Sequence, residues 1–145
     1  MDTRSGMSTW VEVDLDALAN NIKEARRLTD QDSMILAAVK ADAYGHGAVT
    51  SSRAFLENGA DWLGVARLSE AVELRDAGID APILNLGYTP KAQYEVLIKR
   101  RIAATIYTPD QAKVLEEAAT KQQVKAIVHI KIDTGLNRLG YQPNE

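Results

Sequence analysis

The sequence predicts a parallel α/β protein, with about five βα units of the kind that build a barrel, preceded by a short strand and a helix. Three observations predict it. From Met34 onward, apolar runs of strand length alternate with stretches of helical period. The runs are continuous rather than alternating, as in strands covered on both faces. The linkers between them are short, and repeated βα units of this size imply parallel strands with right-handed crossovers.

Thr9 to Asp14 reads as the short strand, with Trp10, Glu12 and Asp14 alternating against Val11 and Val13. Leu15, Leu18, Ile22, Ala25 and Leu28 then recur at helical spacing, with Asp14 as N-cap. Met34 to Val39 is the first buried strand. A helix from about Gly47 to Glu57 follows, stopped by Asn58-Gly59. Trp62 to Ala66 is a strand, and Leu68 to Ala77 a helix closed by Gly78. Pro82 to Leu86 is a strand, after which Thr89-Pro90 opens a helix as N-cap and first-turn proline. Arg101 to Ile106 is a strand, Thr108-Pro109 opens a helix to about Thr120, and Lys125 to Ile132 is the fifth strand of the series.

Such a series either winds into an open sheet or closes into a barrel. The glycine-rich dinucleotide loop that marks the open sheet is absent, and so is a phosphate-binding Walker loop. The pattern therefore favours a TIM-type (β/α)8 barrel. A complete barrel takes about 250 residues, so these 145 residues are expected to hold only its N-terminal portion. Residues 1–8 read as a polar arm and residues 9–145 as the incomplete barrel domain. Such a piece should expose raw strand edges and apolar interior.

Composition narrows the chemistry. The net charge is -3 with no run of five like charges, which gives nucleic acid or an anionic membrane no surface. No purely apolar run is long enough to span a bilayer, and the polar start lacks a secretory leader's apolar stretch. With no cysteine, disulfides and thiol catalysis are excluded. Only His46 and His129 are present, so a three-histidine metal site is impossible, and no metal is expected. The expected location is cytoplasmic.

Parallel α/β folds place their sites at the carboxyl ends of strands. Two of the five strand ends stand out: Val39-Lys40-Ala41-Asp42-Ala43-Tyr44-Gly45-His46-Gly47, and Lys131-Ile132-Asp133-Thr134-Gly135-Leu136-Asn137-Arg138-Leu139-Gly140. Lys40 follows the most apolar strand. A lysine there either lays its stem on apolar surface with its ammonium in water, or presents a desolvated amine able to condense with an aldehyde. Tyr44 brings a hydroxyl suited to a phosphate oxygen, and the glycines allow close backbone approach, although a plain strand-to-helix turn would look the same. Asn85 reads as a hydrogen-bonded polar core residue, and both histidines as structural. Glu70, Glu73, Asp76, Arg67 and Arg75 read as a solvated helix face, and Lys99-Arg100-Arg101 as positive charge suited to a helix end.

The run Ala38 to Gly47 closely resembles the pyridoxal-phosphate (PLP) lysine signature of the bacterial alanine racemases. Val11 to Leu18, Ala81 to Gly87 and His129 to Gly140 are similar to further motifs of that family, collinear from about residue 9 to the end. Leu136 stands where methionine is common, a conservative change. The resemblance implies that Lys40 holds PLP as a Schiff base and takes a proton on one face of the substrate. It implies that Tyr44 helps bind the cofactor phosphate, and that Arg138 faces the PLP phenolic oxygen and the substrate carboxylate. Lys131 matches a position that carries a carbamate in several members, an anion that would lock Arg138 in place.

The family's activity is interconversion of L- and D-alanine, supplying D-alanine for cell-wall peptidoglycan, in a homodimer. Its second base is a tyrosine from the partner subunit's C-terminal β domain, so these residues alone are expected to be inactive. Serine and broad-spectrum racemases share the motifs. Barrel decarboxylases share the lysine but not the whole run. A non-catalytic PLP-binding protein of cofactor homeostasis is the alternative from another class.

Overall fold

The computed structural model describes Gly6 and residues 8–142. The first helix, α1 (Leu15–Leu28), starts where its cap requires: the Asp14 carboxylate accepts from the Ala17 N–H at 3.0 Å. Five parallel strands follow, β1 (Leu36–Ala38), β2 (Trp62–Val65), β3 (Ile83–Asn85), β4 (Ala103–Ile106) and β5 (Val128–Ile130). Between them lie a helical turn, α2 (Lys40–Gly45), and the helices α3 (Ala48–Glu57), α4 (Leu68–Asp76), α5 (Tyr94–Lys99) and α6 (Pro109–Lys121).

The strands lie side by side in chain order, β1-β2-β3-β4-β5. A doubly wound sheet reverses its order at a switch point; this one never does, and so winds in a single direction as a barrel wall does. It is also curled. The Trp62 ring on β2 meets the His129 ring on β5 edge-on at 5.4 Å between centroids, although β3 and β4 lie between those strands in the sheet. The core fills the space between the outer sheet face and the helices. Ala37, Leu63 and Ile83 form one row across the register, and Val39, Val65, Ala104 and Ile106 continue it toward the carboxyl ends. On the inner face Gly64 makes room for its neighbours: a Cβ there would lie 2.5 Å from Leu36 Cδ2 and 3.0 Å from Leu86 Cδ1.

The amino ends of the strands are tied by two arginines. Arg75 donates to the carbonyls of Ile79 (2.6 Å), Ala81 (2.8 Å), Arg100 (2.9 Å) and Arg101 (3.0 Å), joining the entries to β3 and β4. Arg26 donates to the carbonyls of Ser33 and Gly59 and pairs with Asp61, whose carboxylate also accepts from Ile35 N–H. Arg75 is therefore not the solvated helix residue that its periodicity suggests; its partners are carbonyls brought in by tertiary folding.

Other expectations are corrected by hydrogen bonding. Residues 9–14 form no strand: a strand exists only through a ladder, and no ladder among the described residues includes them. Thr89 does not cap a helix, because its hydroxyl accepts from Asn85 Nδ2 at 2.6 Å. A 3-10 turn (Lys91–Gln93) leads into α5 instead. The fourth strand starts at Ala103 rather than Arg101, whose left-handed φ of 52° takes it out of extended geometry. The Thr108-Pro109 start holds, with the Thr108 hydroxyl accepting from Gln111 N–H at 3.2 Å. The expected exposure of edge and interior is present: Ile130 is 65% and Ile132 50% exposed along β5 and its extension. Most of the arm 1–8 lies outside the described residues.

Candidate cofactor site at the carboxyl ends of the strands

Lys40 leaves β1 through a backbone that the sequence did not announce. Ala41, Asp42, Ala43 and Tyr44 all adopt left-handed helical geometry, with φ from 50° to 56°. Each non-glycine residue so placed costs ~1–2 kcal/mol, because Cβ crowds the following carbonyl oxygen. Four in succession persist only where the surroundings hold them. Ala43 N–H donates to Val39 O at 2.9 Å, and Gly47 N–H to Asp42 O at 3.0 Å. The Asp42 carboxylate accepts from Ala48 N–H at 2.6 Å, so it caps α3 across the turn. His46 Nδ1 lies 2.8 Å from Ala43 O, a local role consistent with the structural reading of this histidine.

One more tie comes from a different βα unit. Glu70, in the first turn of α4, accepts from Ala41 N–H at 2.9 Å through one carboxylate oxygen. Its other oxygen accepts from Ala66 N–H (2.7 Å) and Arg67 N–H (3.1 Å). Sequence reasoning assigned Glu70 to the solvated face. The helix-start position of a glutamate three residues after Arg67 was the one available signal, and it spoke only for the local bonds.

The turn brings Lys40 and Tyr44 together. The Lys40 ammonium nitrogen stands 5.9 Å from the centroid of the Tyr44 ring, with Lys40 half-buried and Tyr44 60% exposed. Among the described residues the Tyr44 hydroxyl has no hydrogen-bond partner.

Lys131 and Arg138 follow β5 at the same end of the sheet. Lys131 N–H donates to Ile106 O at 2.9 Å, extending the ladder by one residue. The loop beyond it is organised by the buried Asp133. Its carboxylate accepts from Gly135 N–H and Asn137 N–H, both at 3.0 Å, and Gln142 approaches its other oxygen. Those backbone donors, Gly135 first, hold the Asp133 carboxyl below the usual carboxylate range. Tyr141 N–H and O bond Lys131 O and Asp133 N–H and close the loop. Arg138 projects from it, exposed, and neither it nor Lys131 has an ion-pair partner among the described residues. Lys40 and Tyr44 after β1, and Lys131 and Arg138 after β5, thus stand at the same end of the sheet, with no hydrogen bond or ion pair between the two sets of side chains among the described residues.

Asn85 is fully buried, as its reading as a polar core residue requires. Its amide nitrogen and backbone carbonyl are bonded to Thr89 and Thr105, while its Oδ1 has no partner among the described residues. No cluster of three metal-ligating side chains occurs among the described residues, and no helix there is long and apolar enough to cross a membrane.

The alanine racemase N-terminal domain model matches residues 13–145. An alanine racemase of Clostridium perfringens is 54% identical over 136 residues, 94% of this chain and 35% of that protein. The alanine racemase of Clostridium difficile 630 superposes with a TM-score of 0.91 at 44% identity, covering 96% of this chain and 37% of that one. The structure of alanine racemase from Bacillus anthracis with bound L-Ala-P gives a TM-score of 0.86 at 39% identity, covering 94% of this chain and 35% of that one. The chain therefore spans little more than a third of the length of these relatives. It belongs to the alanine racemase N-terminal domain family.

Proposed function

We propose that this chain is the cofactor-binding part of a PLP-dependent racemase that interconverts L- and D-alanine, with Lys40 as the residue that holds the cofactor. The observation that carries the reading is the half-buried Lys40 at a strand's carboxyl end, its ammonium nitrogen 5.9 Å from the Tyr44 ring centroid, with no hydrogen-bond partner for the Tyr44 hydroxyl among the described residues. An amine for an aldehyde, a phenol for a phosphate oxygen and the Arg138 guanidinium, which has no ion-pair partner among the described residues, fit a group that is both an aldehyde and an anion. When bound, PLP supplies the electron-withdrawing ring that makes the amino acid's α-proton removable.

The chain's own residues supply the rest. Lys40 anchors the group and moves a proton on one face. Tyr44 orients the phosphate. Arg138 receives the substrate carboxylate, where a planar guanidinium suits a planar anion. Lys131, if carbamylated, gives Arg138 an anionic neighbour. The substrate class draws support from the Bacillus anthracis relative, whose structure has bound L-Ala-P. The product would feed D-alanine to peptidoglycan, from the cytoplasm, and the complete enzyme would be a homodimer.

Adding PLP to the chain tests the site. A visible absorbance band should appear and be lost in Lys40→Ala; a band of equal strength in the variant would remove Lys40 from the account. Racemisation also needs a second proton-moving group on the opposite face, which the family resemblance assigns to another region of the enzyme. The 145 residues with PLP are therefore expected to racemise alanine negligibly, and turnover free of longer contaminants would contradict this.

A further inference from the structure

We infer that Glu70 is a positioning residue for the cofactor lysine, holding the left-handed turn after β1 to the second βα unit and so aiming Lys40. The inference rests on the reading of Lys40 as the PLP anchor. Its grounds are geometric. The bond from Ala41 N–H to Glu70 is made by the residue that immediately follows Lys40, and it spans 29 positions of sequence. Val39 N–H ties the strand end just before Lys40 to Gly64 O on β2 at 2.8 Å. The remaining hydrogen bonds of the turn, among the described residues, are made within residues 39–51. Beyond Lys40 the Glu70 bond is therefore the one that reaches another βα unit. Glu70 is itself held by Ala66 and Arg67, directly after β2, the strand that pairs with β1. One carboxylate therefore joins the carboxyl ends of two adjacent strands at the point where the lysine leaves.

A bond between a charged acceptor and a backbone donor is worth enough to change binding about tenfold when lost. The experiment compares the full chain with Glu70→Asp and Glu70→Gln. Aspartate keeps the charge and can still cap Ala66 and Arg67, but it is a methylene too short to reach Ala41 as well. Two readouts are taken: amide hydrogen exchange at Ala41, Ala66 and Arg67, and the PLP concentration that half-saturates a borohydride-fixed label on Lys40. In Glu70→Asp, Ala41 should exchange about tenfold faster, with Ala66 and Arg67 still protected and the thermal midpoint little changed. The half-saturating PLP concentration should rise about tenfold.

Glu70→Gln keeps the length but turns one oxygen into a donor facing backbone N–H groups, and it decides the matter if the aspartate variant does not fold. Unchanged Ala41 exchange or unchanged half-saturation in a folded variant overturns the inference while leaving the cofactor reading intact. No label on Lys40 in the unsubstituted chain overturns the cofactor reading, and with it the aim assigned to Glu70.

Discussion

Arg75 shows how much one side chain can hold. Its guanidinium donates to four carbonyls from two inter-strand segments, and its pKa is lowered, first by desolvation and then by the nearby Arg101 charge. A lysine, with a single point charge, cannot reproduce that fork. Arg75→Met should cost about 2–3 kcal/mol, since it removes charged donors from carbonyls that folding has brought together. A urea midpoint that moves by less than about 0.5 kcal/mol equivalent would show that water satisfies those carbonyls as well. Periodicity cannot reveal such a residue. Arg75 and Glu70 both sit on α4 at positions that suit solvent, and what distinguishes them is the backbone delivered to them by other βα units. Lys40, the proposed cofactor lysine, stands out in the sequence because its neighbourhood is a motif. Glu70 does not, because its partner lies in another unit.

At the scale of elements, the loop after β5 depends on the ionised form of Asp133. The bonds from Gly135 and Asn137 stabilise the carboxylate in the folded state and depress its pKa. Asp61, held by Ile35 N–H and then Arg26, is depressed likewise. A carboxyl whose folded pKa lies below its unfolded value contributes stability above the unfolded value, near 3.9, and loses it as pH falls through the folded one. Stability should therefore fall as the medium is acidified below about pH 4. Asp133→Asn should flatten that fall, as read from urea midpoints across the acid range. An acid limb identical in the variant would remove Asp133 from it.

Element starts were legible wherever a local cap decides them, as at Asp14 and Thr108-Pro109. They were not legible where a side chain found a tertiary or local competitor, as Thr89 did in Asn85. Nor was the left-handed stretch. Alanine, aspartate and tyrosine carry no preference strong enough to announce it, and only the flanking Gly45 and Gly47 hinted at unusual backbone.

Across the whole molecule the two ends of the sheet divide the work. Arginines bond carbonyls at the amino ends, and the carboxylates of Glu70 and Asp133 bond N–H groups at the carboxyl ends. Both sets add stability, and the second also shapes the backbone after Lys40 and around Arg138. Strand order in sequence and the Trp62–His129 contact across the curl give the wall of a barrel, and the barrel's site end is where the unusual residues gather. The most direct test of this account is to load the chain with PLP, reduce it with borohydride and map the modified peptide. The account predicts the pyridoxyl group on Lys40. Its recovery on Lys131 or any other lysine, with Lys40 unmodified, would contradict it.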